Sequence, residues 1–409
     1  MDGAHDYHNF QLKLRQRPVW EQVHRYVQSQ QIDSDAGVTG QDQSPMRSMV
    51  PLSINLDLTT ACNYRCDHCI DWDILNSGVK YDEAQLRASL KELADRGMKS
   101  VILIGGGEPT VYPRFVEMVQ YLKQLNQQVA IVSNGSRGDR LLAACEFLTR
   151  PDWIRLSLDA GTDSTFQAMH KPRKPISLDQ ICEWVPKMKA ANSEVQIGYS
   201  FIVTWRGAAR DQVAVIENID ELVIAADRAR DFGFDYFSVK PFLVRQEENN
   251  AEVMNPHTAE DALDQVIAKI RVAVNEAKKL ETDSFKIVES TNLRLLEQKS
   301  WKNFTRQPKR CHMQALRQVL TPLGLFNCPG YRGVASARIA GPAAYCDQKA
   351  TEATTQKTID TLNAFDASKE CANVTCLYNG TNWWLQSLID HPDKLDQIEV
   401  TDEITDFFL

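Results

Sequence analysis

The sequence predicts an α/β protein in which six strands alternate with helices, followed by a smaller C-terminal α+β region. Short apolar segments alternate with amphipathic ones from residue 53 to residue 240. This β-α-β order implies a parallel sheet with right-handed crossovers, although six strands are too few for a closed eight-stranded barrel. The alternation ends near residue 245, and half of the ten cysteines come after it.

The strands and the helices between them follow from apolar periodicity and from signals at the helix ends. In the first helix Leu86, Leu90 and Leu93 share one face, and Gly97 follows its end. Pro113 marks the start of the second helix. The strands are predicted at 53–58, 100–104, 128–133, 153–158, 195–203 and 234–240, and the helices at 82–96, 113–125, 139–149, 178–191 and 211–231.

The C-terminal third has a different pattern. Its predicted elements are helices at 257–280 and 292–298, a strand at 284–288 and a β-hairpin of segments 314–320 and 325–327. Pro322 and Gly324 form the hairpin turn, which predicts that Cys311 and Cys328 lie at the same end of two paired strands. A last helix is predicted to open at the pair Cys371 and Cys376 and to run through Trp383, Trp384 and Leu388.

These patterns divide the chain into five parts. Residues 28–50 are rich in Gln, Ser, Asp and Gly, which predicts a linker. The parts are an N-terminal extension with this linker at 1–50, the six-stranded region at 51–245, bridging helices at 246–305, the cysteine-containing α+β region at 306–390 and a C-terminal tail at 391–409.

Length, charge and composition exclude several classes of protein. At 409 residues the chain exceeds the usual size of one hydrophobic core, and 43% hydrophobic with 24% charged residues is ordinary globular composition. A net charge of −8 argues against general nucleic-acid binding, which needs a basic surface. The chain has no run of about 18 apolar residues and no secretion signal, so we expect a cytoplasmic protein without a membrane helix.

Three cysteines, Cys62, Cys66 and Cys69, follow the first predicted strand on one short loop with the spacing C-x3-C-x2-C. In a cytosolic chain, clustered cysteines bind metal or act in catalysis more often than they form disulfides. A structural zinc ion takes four protein ligands, whereas three thiolates leave one position open. Because soft thiolates suit iron–sulfur clusters, the loop predicts an iron–sulfur site, with a zinc site as the alternative.

This loop closely resembles the cluster motif of the radical S-adenosylmethionine (radical SAM) superfamily. The resemblance implies an enzyme with a [4Fe-4S] cluster whose open iron binds S-adenosylmethionine, which is then reductively cleaved to a 5′-deoxyadenosyl radical. It also implies an open, partial (β/α)6 barrel and a reductant such as flavodoxin or ferredoxin. The backbone at His68, between the second and third cysteines, is then expected to meet the adenine.

Gly105, Gly106, Gly107 and Glu108 follow the second strand and resemble the GGE motif of the same superfamily. The resemblance implies that backbone groups of this motif bind the methionyl amino group of the cofactor. Glycines let a backbone approach a ligand closely, and Glu108 is expected to anchor a loop or to accept a hydrogen bond from an ammonium group. In such barrels the reactive groups lie at the C-terminal ends of the strands.

Polar residues also follow the third strand and lie on the fourth. Ser133 and Asn134 are expected to contact the ribose hydroxyls, with a simple Asn-Gly turn as the alternative. Arg155, Ser157 and Asp159 alternate with leucines, so they share the face that we expect to line the lumen. The strand resembles the superfamily's SLDG/SLDA strand, which implies that Ser157 and Asp159 face cofactor or substrate, and Arg155 is a substrate candidate.

Two further substrate candidates lie on the last two strands. Tyr199 and Lys240 are placed to contact substrate or to carry a proton. A core tyrosine and a lysine at the rim are alternatives of equal weight. Cys145 and Cys182 lie on helix faces beside Leu and Ile, so we expect them in the core.

The cysteines of the C-terminal third resemble the auxiliary-cluster domain called Twitch, the short form of the SPASM domain. The resemblance implies a second, auxiliary [4Fe-4S] cluster, and the ligands that we assign to it are Cys311, Cys328, Cys371 and Cys376. Cys346 is the spare thiol, which could replace either member of the last pair. That pair is separated by four residues, where the family more often has two. A zinc ion with four cysteine ligands is the alternative.

The function expected from these features is hydrogen abstraction from a small polar substrate such as a sugar, an aminoglycoside or a nucleotide-like metabolite, leading to oxidation, epimerisation or rearrangement. The first alternative is a maturase that installs a thioether, a carbon–carbon link or an inverted centre in a ribosomally made peptide. The short stretch before the cysteine loop looks too small for a peptide-recognition domain, which favours the small molecule. The second alternative is a non-enzymatic zinc- or cluster-bearing module, which would not need cofactor-shaped loops at successive strand ends.

Overall fold

Ten strands form one sheet through the centre of the molecule, in the order β7-β6-β5-β4-β3-β2-β1-β8-β9-β10. The computed structural model describes residues 8–35, 46, 49–210, 213–245, 252–254 and 260–409. Strands β1 to β8 are parallel to their neighbours, and β8, β9 and β10 pair antiparallel. The strands are β1 Ser53–Leu56, β2 Ser100–Leu103, β3 Gln128–Ser133, β4 Trp153–Ser157, β5 Gln196–Val203, β6 Tyr236–Pro241, β7 Lys286–Glu289, β8 Arg317–Thr321, β9 Gly324–Phe326 and β10 Arg338–Ala340.

Helices cover the outer face of the sheet, and further helices precede β1 and follow β10. They are α1 Phe10–Leu14, α2 Arg17–Asp35, α3 Glu83–Asp95, α4 Phe115–Gln124, α5 Gly138–Cys145, α6 Asp163–His170, α7 Leu178–Cys182, α8 Trp184–Ala191, α9 Leu222–Asp231, α10 Glu260–Lys278, α11 Thr291–Glu297, α12 Met313–Leu316, α13 Gln348–Ala364, α14 Ala367–Glu370, α15 Asn379–Asp390 and α16 Pro392–Leu395. Within the described ranges, none of these helices is both long and apolar enough to cross a membrane.

The two faces of the parallel strands have different partners. Leu56, Leu103 and Ile131 face outward and join the helices in one large core. Successive side chains on a strand point to opposite faces, so Ile102 and Ala130 face inward, where they belong to a separate small cluster. This inner face is the lumen of the partial barrel.

The predicted α/β fold with a parallel, partial-barrel sheet is confirmed. All six predicted strands are present as β1 to β6, in the predicted order. The strand predicted at 284–288 is β7, which pairs with β6 and adds a seventh parallel strand. The predicted hairpin is β8 and β9, and β8 extends the barrel sheet by pairing with β1. Cys145 and Cys182 are fully buried, as expected.

The helix predicted at 211–231 is wrong in its first half. Residues 211–212 lie outside the described residues, and Val213–Ala214 form a short strand that pairs with Ala209–Arg210. Asn218 then accepts a hydrogen bond from the amide of Thr204 (2.8 Å), which ties this stretch to the end of β5. The chain is therefore held out of helical geometry until α9 begins at Leu222.

Two other helix boundaries differ from the prediction. The helix expected at 178–191 is broken into α7 and α8, because Pro186 has no amide hydrogen to donate to the carbonyl of Cys182. Residues 313–316, part of which was predicted as hairpin strand, form the short helix α12. The helix α6, which the sequence analysis did not predict, fills the connection between β4 and α7.

The N-terminal residues are more ordered than predicted. Helix α2 extends to Asp35, so the linker expected at 28–50 cannot begin before residue 36, and its residues 36–45 and 47–48 lie outside the described residues. Val23 and Tyr26 of α2 pack with Leu385 and Leu388 of α15 in a second core. The N-terminal helices thus share a core with the C-terminal third of the chain.

The C-terminal tail closes the lumen at the N-terminal ends of the strands. Phe408 packs among the inward-facing residues, with its ring 5.5 Å from that of Trp153. The amide of Leu409 donates to Ser53 Oγ (3.4 Å), and Lys13 Nζ donates to the carbonyl of Phe408 (2.9 Å). The segment predicted as a tail is therefore part of the barrel.

Candidate active site

The cysteine loop, residues 62–69, leaves the C-terminal end of β1 and is held by the backbone that ends α6. The amide of Arg65 donates to the carbonyl of His170 (3.1 Å). The amide of Asp67 donates to the carbonyl of Met169 (3.0 Å). Because these bonds fix the backbone, the spacing of the three thiols depends on a helix about one hundred residues away in sequence.

Asp159 links the end of β4 to two imidazoles beside the cysteine loop. Its carboxylate accepts a hydrogen bond from His68 Nε2 (3.0 Å) and lies 3.4 Å from His170 Nε2. It also accepts a bond from the amide of Ile202 (2.7 Å). Its φ of +52° lies in the left-handed region, where Asp is one of the residues most readily tolerated.

The ionisation of this group follows from its hydrogen bonds. Burial favours a neutral Asp159, but the bonds from His170 and His68 outweigh burial and hold the pKa of Asp159 below its ordinary value. Burial lowers the pKa of His170, so its imidazole is neutral at pH 7. Its Nε2 faces the carbonyl of Leu158 (2.9 Å) and Asp159, and must carry the proton. The lone pair on Nδ1 then faces Cys66 Sγ at 3.2 Å.

The donor set on the loop fits an iron–sulfur cluster. Burial raises the pKa of Cys62 to about 11 and that of Cys69 to about 12, so these thiols become thiolates at neutral pH only with a cationic metal partner. Among the described residues, the one group of three ligand atoms within 4.8 Å of one another is that of Cys66, His68 and His170. The Nε2 atoms of both imidazoles face Asp159, which leaves Nδ1 of His170 towards Cys66 Sγ, so a metal ion at these three residues is the alternative to a cluster held by the three thiols.

The glycine motif after β2 packs tightly against the protein itself. Gly105 and Gly106 have φ of +53° and +65°, which glycine adopts without steric cost. A Cβ on Gly105 would lie 2.9 Å from Arg332 Nη1, and a Cβ on Gly106 would collide with the carboxylate of Asp57. A Cβ on Gly107 would meet the backbone that leads into the cysteine loop. Side chains are therefore excluded at all three positions.

Glu108 anchors the loops that follow β2 and β3. It is 3% exposed and accepts hydrogen bonds from the amide and hydroxyl of Thr110 (3.0 and 2.6 Å). It also accepts bonds from Ser133 Oγ and from the amide of Asn134, both at 2.7 Å. Burial raises the pKa of Glu108 above its ordinary value, and these bonds oppose the rise.

The side chains of Ser133 and Asn134 at the end of β3 form hydrogen bonds with other residues of the protein. The Ser133 hydroxyl is buried and donates to Glu108, so the predicted ribose contact of this side chain is corrected to a role in holding the loop. Asn134 Nδ2 donates to Asn63 Oδ1 (2.9 Å) in the cysteine loop. Its Oδ1 accepts from the amide of Ser136 (3.0 Å), as in a turn.

A buried ion network connects the cysteine loop, the glycine motif and the C-terminal third. Arg332 Nη1 donates to both carboxylate oxygens of Asp71 (2.9 and 3.0 Å), and its Nε lies 2.9 Å from Asp57 Oδ2. The same Asp71 carboxylate accepts a hydrogen bond from the amide of Gly106 (3.2 Å). Arg332, four residues after Cys328, thus holds the backbone of the glycine motif.

The lumen contains two of the three predicted substrate candidates. Arg155 lies on the inner face of β4, with its guanidinium 4.9 Å from the centre of the Trp153 ring. Lys240 is half-buried near the C-terminal end of β6. Burial and the charge of Arg155 lower the pKa of Lys240, against the opposing effect of Asp159. Arg155 and Lys240 therefore lie on the inner face of the sheet, within electrostatic range of Asp159.

The third candidate, Tyr199, is corrected to the alternative of a core tyrosine. It is fully buried on the outer face of β5 between Phe234 and Phe237, with ring centroids 5.3 Å from each. Its hydroxyl donates to the carbonyl of Ala160 (2.5 Å). The ring therefore faces the helices and has no access to the lumen.

Four of the five C-terminal cysteines are neighbours. Burial, followed by the thiols of Cys311 and Cys328, raises the pKa of Cys371. Burial and all three of these thiols raise the pKa of Cys376. Cys346 has other neighbours, because its pKa is raised by slight burial and by the carboxylate of the adjacent Asp347.

The spacing of these four thiols bears on the choice between zinc and iron. Zinc–sulfur bonds of about 2.3 Å in a tetrahedron would bring the sulfurs within about 4 Å of one another. No three of the four Sγ atoms, all on described residues, lie mutually within 4.8 Å. Polar groups also reach this site, since Asn382 Nδ2 lies 3.6 Å from Cys311 Sγ and Tyr331 Oη lies 3.7 Å from Cys371 Sγ.

Sequence analysis missed His170 and Arg332 as members of the site. Helix α6 does carry a sequence signal, because Thr162 caps its start and Pro172 follows its end. That signal could have placed His170 at a helix terminus, although not beside Cys66. Arg332 carries no local signal, since its partners lie 261 residues and more away in sequence.

Comparison with known proteins gives one family match and several curated relatives. The model of the radical SAM superfamily matches residues 56–219. The S-adenosylmethionine-dependent nucleotide dehydratase of Selenomonas ruminantium is 24% identical over 249 residues, which are 58% of this chain and 89% of that protein. Mycofactocin maturase MftC of Mycobacterium tuberculosis is 29% identical over 188 residues, which are 45% of this chain and 46% of that protein.

Solved structures share the fold at low sequence identity. Streptococcus suis SuiB bound to S-adenosylmethionine superposes with a TM-score of 0.51 at 14% identity, over 74% of this chain and 65% of that one. Native anSMEcpe with bound AdoMet superposes with a TM-score of 0.51 at 13% identity, over 85% of this chain and 100% of that one. Likeness at this identity concerns the fold alone.

Proposed function

This chain is a radical SAM enzyme, and we propose that it removes a hydrogen atom from a small polar molecule. The observation that carries the proposal is that three features lie at the same end of strands β1, β2 and β4 of one parallel sheet. The cysteine loop follows β1, the Gly105–Gly107 motif follows β2, and Asp159 follows β4. Reactive groups of parallel barrels lie at this end. A non-enzymatic binding module is set aside, because the matched relatives are enzymes.

The residues of the site have distinct tasks under this proposal. Cys62, Cys66 and Cys69 hold a [4Fe-4S] cluster, leaving one iron for S-adenosylmethionine. When bound, the cluster and cofactor supply the 5′-deoxyadenosyl radical. Glu108 holds the loops around the cofactor in a fixed arrangement, and Asp159 orients the imidazole of His68 beside the cysteine loop. Preorganised groups of this kind orient a cofactor against its substrate.

An auxiliary [4Fe-4S] cluster is part of the proposal. Its proposed ligands are Cys311, Cys328, Cys371 and Cys376. These thiols are close enough for Cys311 and Cys328 to raise the pKa of Cys371, and for all three to raise the pKa of Cys376. Four thiolates suit a [4Fe-4S] cluster, and a zinc ion is the alternative occupant. Such a cluster can accept an electron from the substrate or hold the substrate in place. Cys346 has no part in it.

The substrate class rests on the curated relatives. The nucleotide dehydratase is matched over 89% of its length, which favours a nucleotide-like small molecule. A peptide substrate is the second candidate, because the mycofactocin maturase matches this chain at 29% identity, although over 46% of its own length. A flavodoxin or ferredoxin is the proposed reductant.

The test compares metal content and cofactor cleavage in a triple variant and a single control variant. Protein purified without oxygen is assayed for iron, sulfide, zinc and 5′-deoxyadenosine formation with dithionite. Replacing Cys62, Cys66 and Cys69 by Ala should lower iron by about four atoms per chain and abolish 5′-deoxyadenosine. Cys182→Ala, in a fully buried core position away from both cysteine sites, is the control and should keep both. Unchanged cleavage in the triple variant would remove the proposed site.

A substrate screen separates the two candidate functions. Formation of 5′-deoxyadenosine is measured with a panel of nucleosides, nucleotides and sugars, and with synthetic peptides. A small molecule that stimulates formation and is itself changed in mass supports the first candidate. Stimulation by a peptide alone supports the second.

A further inference from the structure

The lumen contains two cationic side chains without a hydrogen-bond or ion-pair partner among the described residues. Arg155 rests on the Trp153 ring at 4.9 Å, and its Nε is buried and unbonded. Lys240 lies two strands away on β6 and is half-buried. A cation removed from water without a partner costs free energy. Two such cations facing one space indicate that an anion completes the site.

A row of three serines crosses the lumen between these cations. Ser157 pairs with Ser200, and Ser200 pairs with Ser238, so the three side chains lie side by side on β4, β5 and β6. Adjacent strands are about 4.8 Å apart, which sets the spacing of the hydroxyls. Arg155 lies two residues before Ser157 on β4, and Lys240 lies two residues after Ser238 on β6, so both are on the same face as the serines. None of the three hydroxyls bonds to another described residue.

The surrounding groups leave this space positively charged. His8 reaches it from the N-terminal segment, with Nδ1 3.1 Å from Thr291 Oγ1. Burial, and then the charges of Lys13, Lys240 and Arg155, lower the pKa of His8 to about 3, so its ring is neutral. The carboxylate of Asp159 is nearby but is already hydrogen-bonded to two imidazoles and to a backbone amide.

We propose that this chamber, formed by Arg155, Lys240 and the serine row, binds an oxyanion of the substrate, either a carboxylate or a phosphate. Arginine matches such groups with a fork of donors, lysine adds a point charge, and serine hydroxyls add further donors. The substrate is therefore an acidic small molecule, and a polycationic aminoglycoside does not fit. The inference rests on the proposed function, because it concerns the substrate of that same site.

The experiment measures anion binding to the enzyme loaded with its iron and saturated with S-adenosylmethionine. Isothermal titration uses sodium phosphate and, separately, sodium succinate. One saturable site is expected for at least one of the two anions. Arg155→Gln and Lys240→Gln should each weaken binding at least about tenfold, through loss of a charge-assisted hydrogen bond. Lys91→Gln, on the exposed face of α3, is the matched control and should bind as the wild type does.

The outcomes distinguish the two sources of the anion. Binding of phosphate alone assigns a phosphorylated substrate, and binding of succinate alone assigns a carboxylic acid. The inference is overturned if neither anion binds, or if both variants bind like the control. It is also overturned if anions bind only without S-adenosylmethionine, because the chamber would then serve the carboxylate of the cofactor.

Two further readouts keep this test separate from that of the proposed function. Cofactor cleavage by the wild type, measured on the same preparation, reports on the radical chemistry whether or not an anion binds. Thermal unfolding in buffer without phosphate or carboxylate reports on structural roles. Since neither cation has a hydrogen-bond or ion-pair partner among the described residues, neither Gln variant should lose thermal stability there, and a clear loss in both would mean that these cations are structural.

Discussion

Buried carboxylates organise the candidate active site at the level of single side chains. The carboxylate of Asp159 lies beside the imidazoles of His68 and His170. The carboxylates of Asp71 and Asp57 both contact the guanidinium of Arg332. Each of these groups is less than one-tenth exposed, so the loss of one partner leaves a charge in a poorly solvated place. The site is therefore sensitive to changes that never touch a sulfur ligand.

Arg332→Gln should destabilise the protein strongly. Removing one partner of a buried ion pair typically costs about 3–5 kcal/mol in the free energy of unfolding. Arg332→Lys should recover part of this loss, because it keeps the charge but not the fork of donors. The measurement is urea unfolding, together with affinity for S-adenosylmethionine by equilibrium dialysis, since Asp71 also holds the amide of Gly106. Arg230→Gln is the control, because Arg230 forms a partly exposed ion pair with Asp231 on α9, and it should change stability by less than about 1 kcal/mol. A similar loss in both variants would contradict the prediction.

Asp57 should make stability fall as pH rises. Burial raises the pKa of Asp57 to about 8, although Arg332 opposes the shift. The folded protein therefore holds a proton there that the unfolded chain has already released above its ordinary pKa of 3.8. Its contribution is fully present below that value and is lost as pH rises through about 8. Melting temperatures at pH 5, 6, 7 and 8 should fall less steeply for Asp57→Asn than for the wild type or for the surface variant Asp95→Asn, and parallel curves would refute this.

Among the elements, the two ends of the described chain complete the barrel. Helix α1 and the last four residues interlock, because Lys13 Nζ bonds to the carbonyl of Phe408 and to Asp406 Oδ1 (2.7 Å). Gln16 Nε2 donates to the carbonyl of Asp406 (2.8 Å). These contacts close the lumen at the N-terminal ends of β1 to β4. The chamber consequently opens towards the end that carries the cysteine loop.

Phe408→Ala should show how much the packing of the C-terminal tail in the lumen contributes to the free energy of unfolding. Phe408 is 4% exposed and fills the inner face beside Trp153, and truncation of such a ring costs about 3–5 kcal/mol. The free energy of unfolding is measured by urea titration. Ile404→Ala, at a residue 55% exposed in the same tail, is the control and should stay within about 0.5 kcal/mol of the wild type. Equal stabilities of the two variants would mean that the tail does not occupy the lumen.

In the whole molecule, one sheet connects the two cysteine sites. β1 leads into the first cysteine loop, and its neighbour β8 begins the hairpin that leads to Cys328. Arg332 then bonds to Asp71, two residues after Cys69, so the two sites are joined by backbone pairing and by a buried ion network. The C-terminal third is therefore fixed against the barrel.

Replacement of single C-terminal cysteines should separate ligands from the spare thiol. Cys371→Ala should lower iron by about four atoms per chain and leave the first site loaded, because Cys371 is one of the four thiolates proposed to hold the auxiliary cluster. Cys346→Ala is the matched control, since Cys346 has Asp347 rather than a thiol as its neighbour. Iron and sulfide analysis of protein purified without oxygen measures both. Loss of iron from Cys346→Ala with none from Cys371→Ala would reverse the assignment.

Local signals explain what could be predicted. The six strands alternate with helices at spacings that apolar periodicity reveals, and the three-cysteine loop has a spacing that is specific in itself. Pro186 is a local signal for the break between α7 and α8. In contrast, Tyr199 and Ser200 are adjacent and both buried, yet one faces the helices and the other the lumen. Period two separates the two faces of a strand, but it does not say which face is which.

The family, the fold class and the positions of the cysteines follow from the sequence, because each depends on residues within a few turns or strands of one another. The tertiary structure decides four other features. They are the partners of Asp159, the contact of Arg332 with Gly105, the burial of Phe408 in the lumen and the pairing of β8 with β1. These contacts join residues that are from tens to several hundred positions apart. No local pattern encodes such a contact, since it exists only when the sheet has curved and brought the distant segments together.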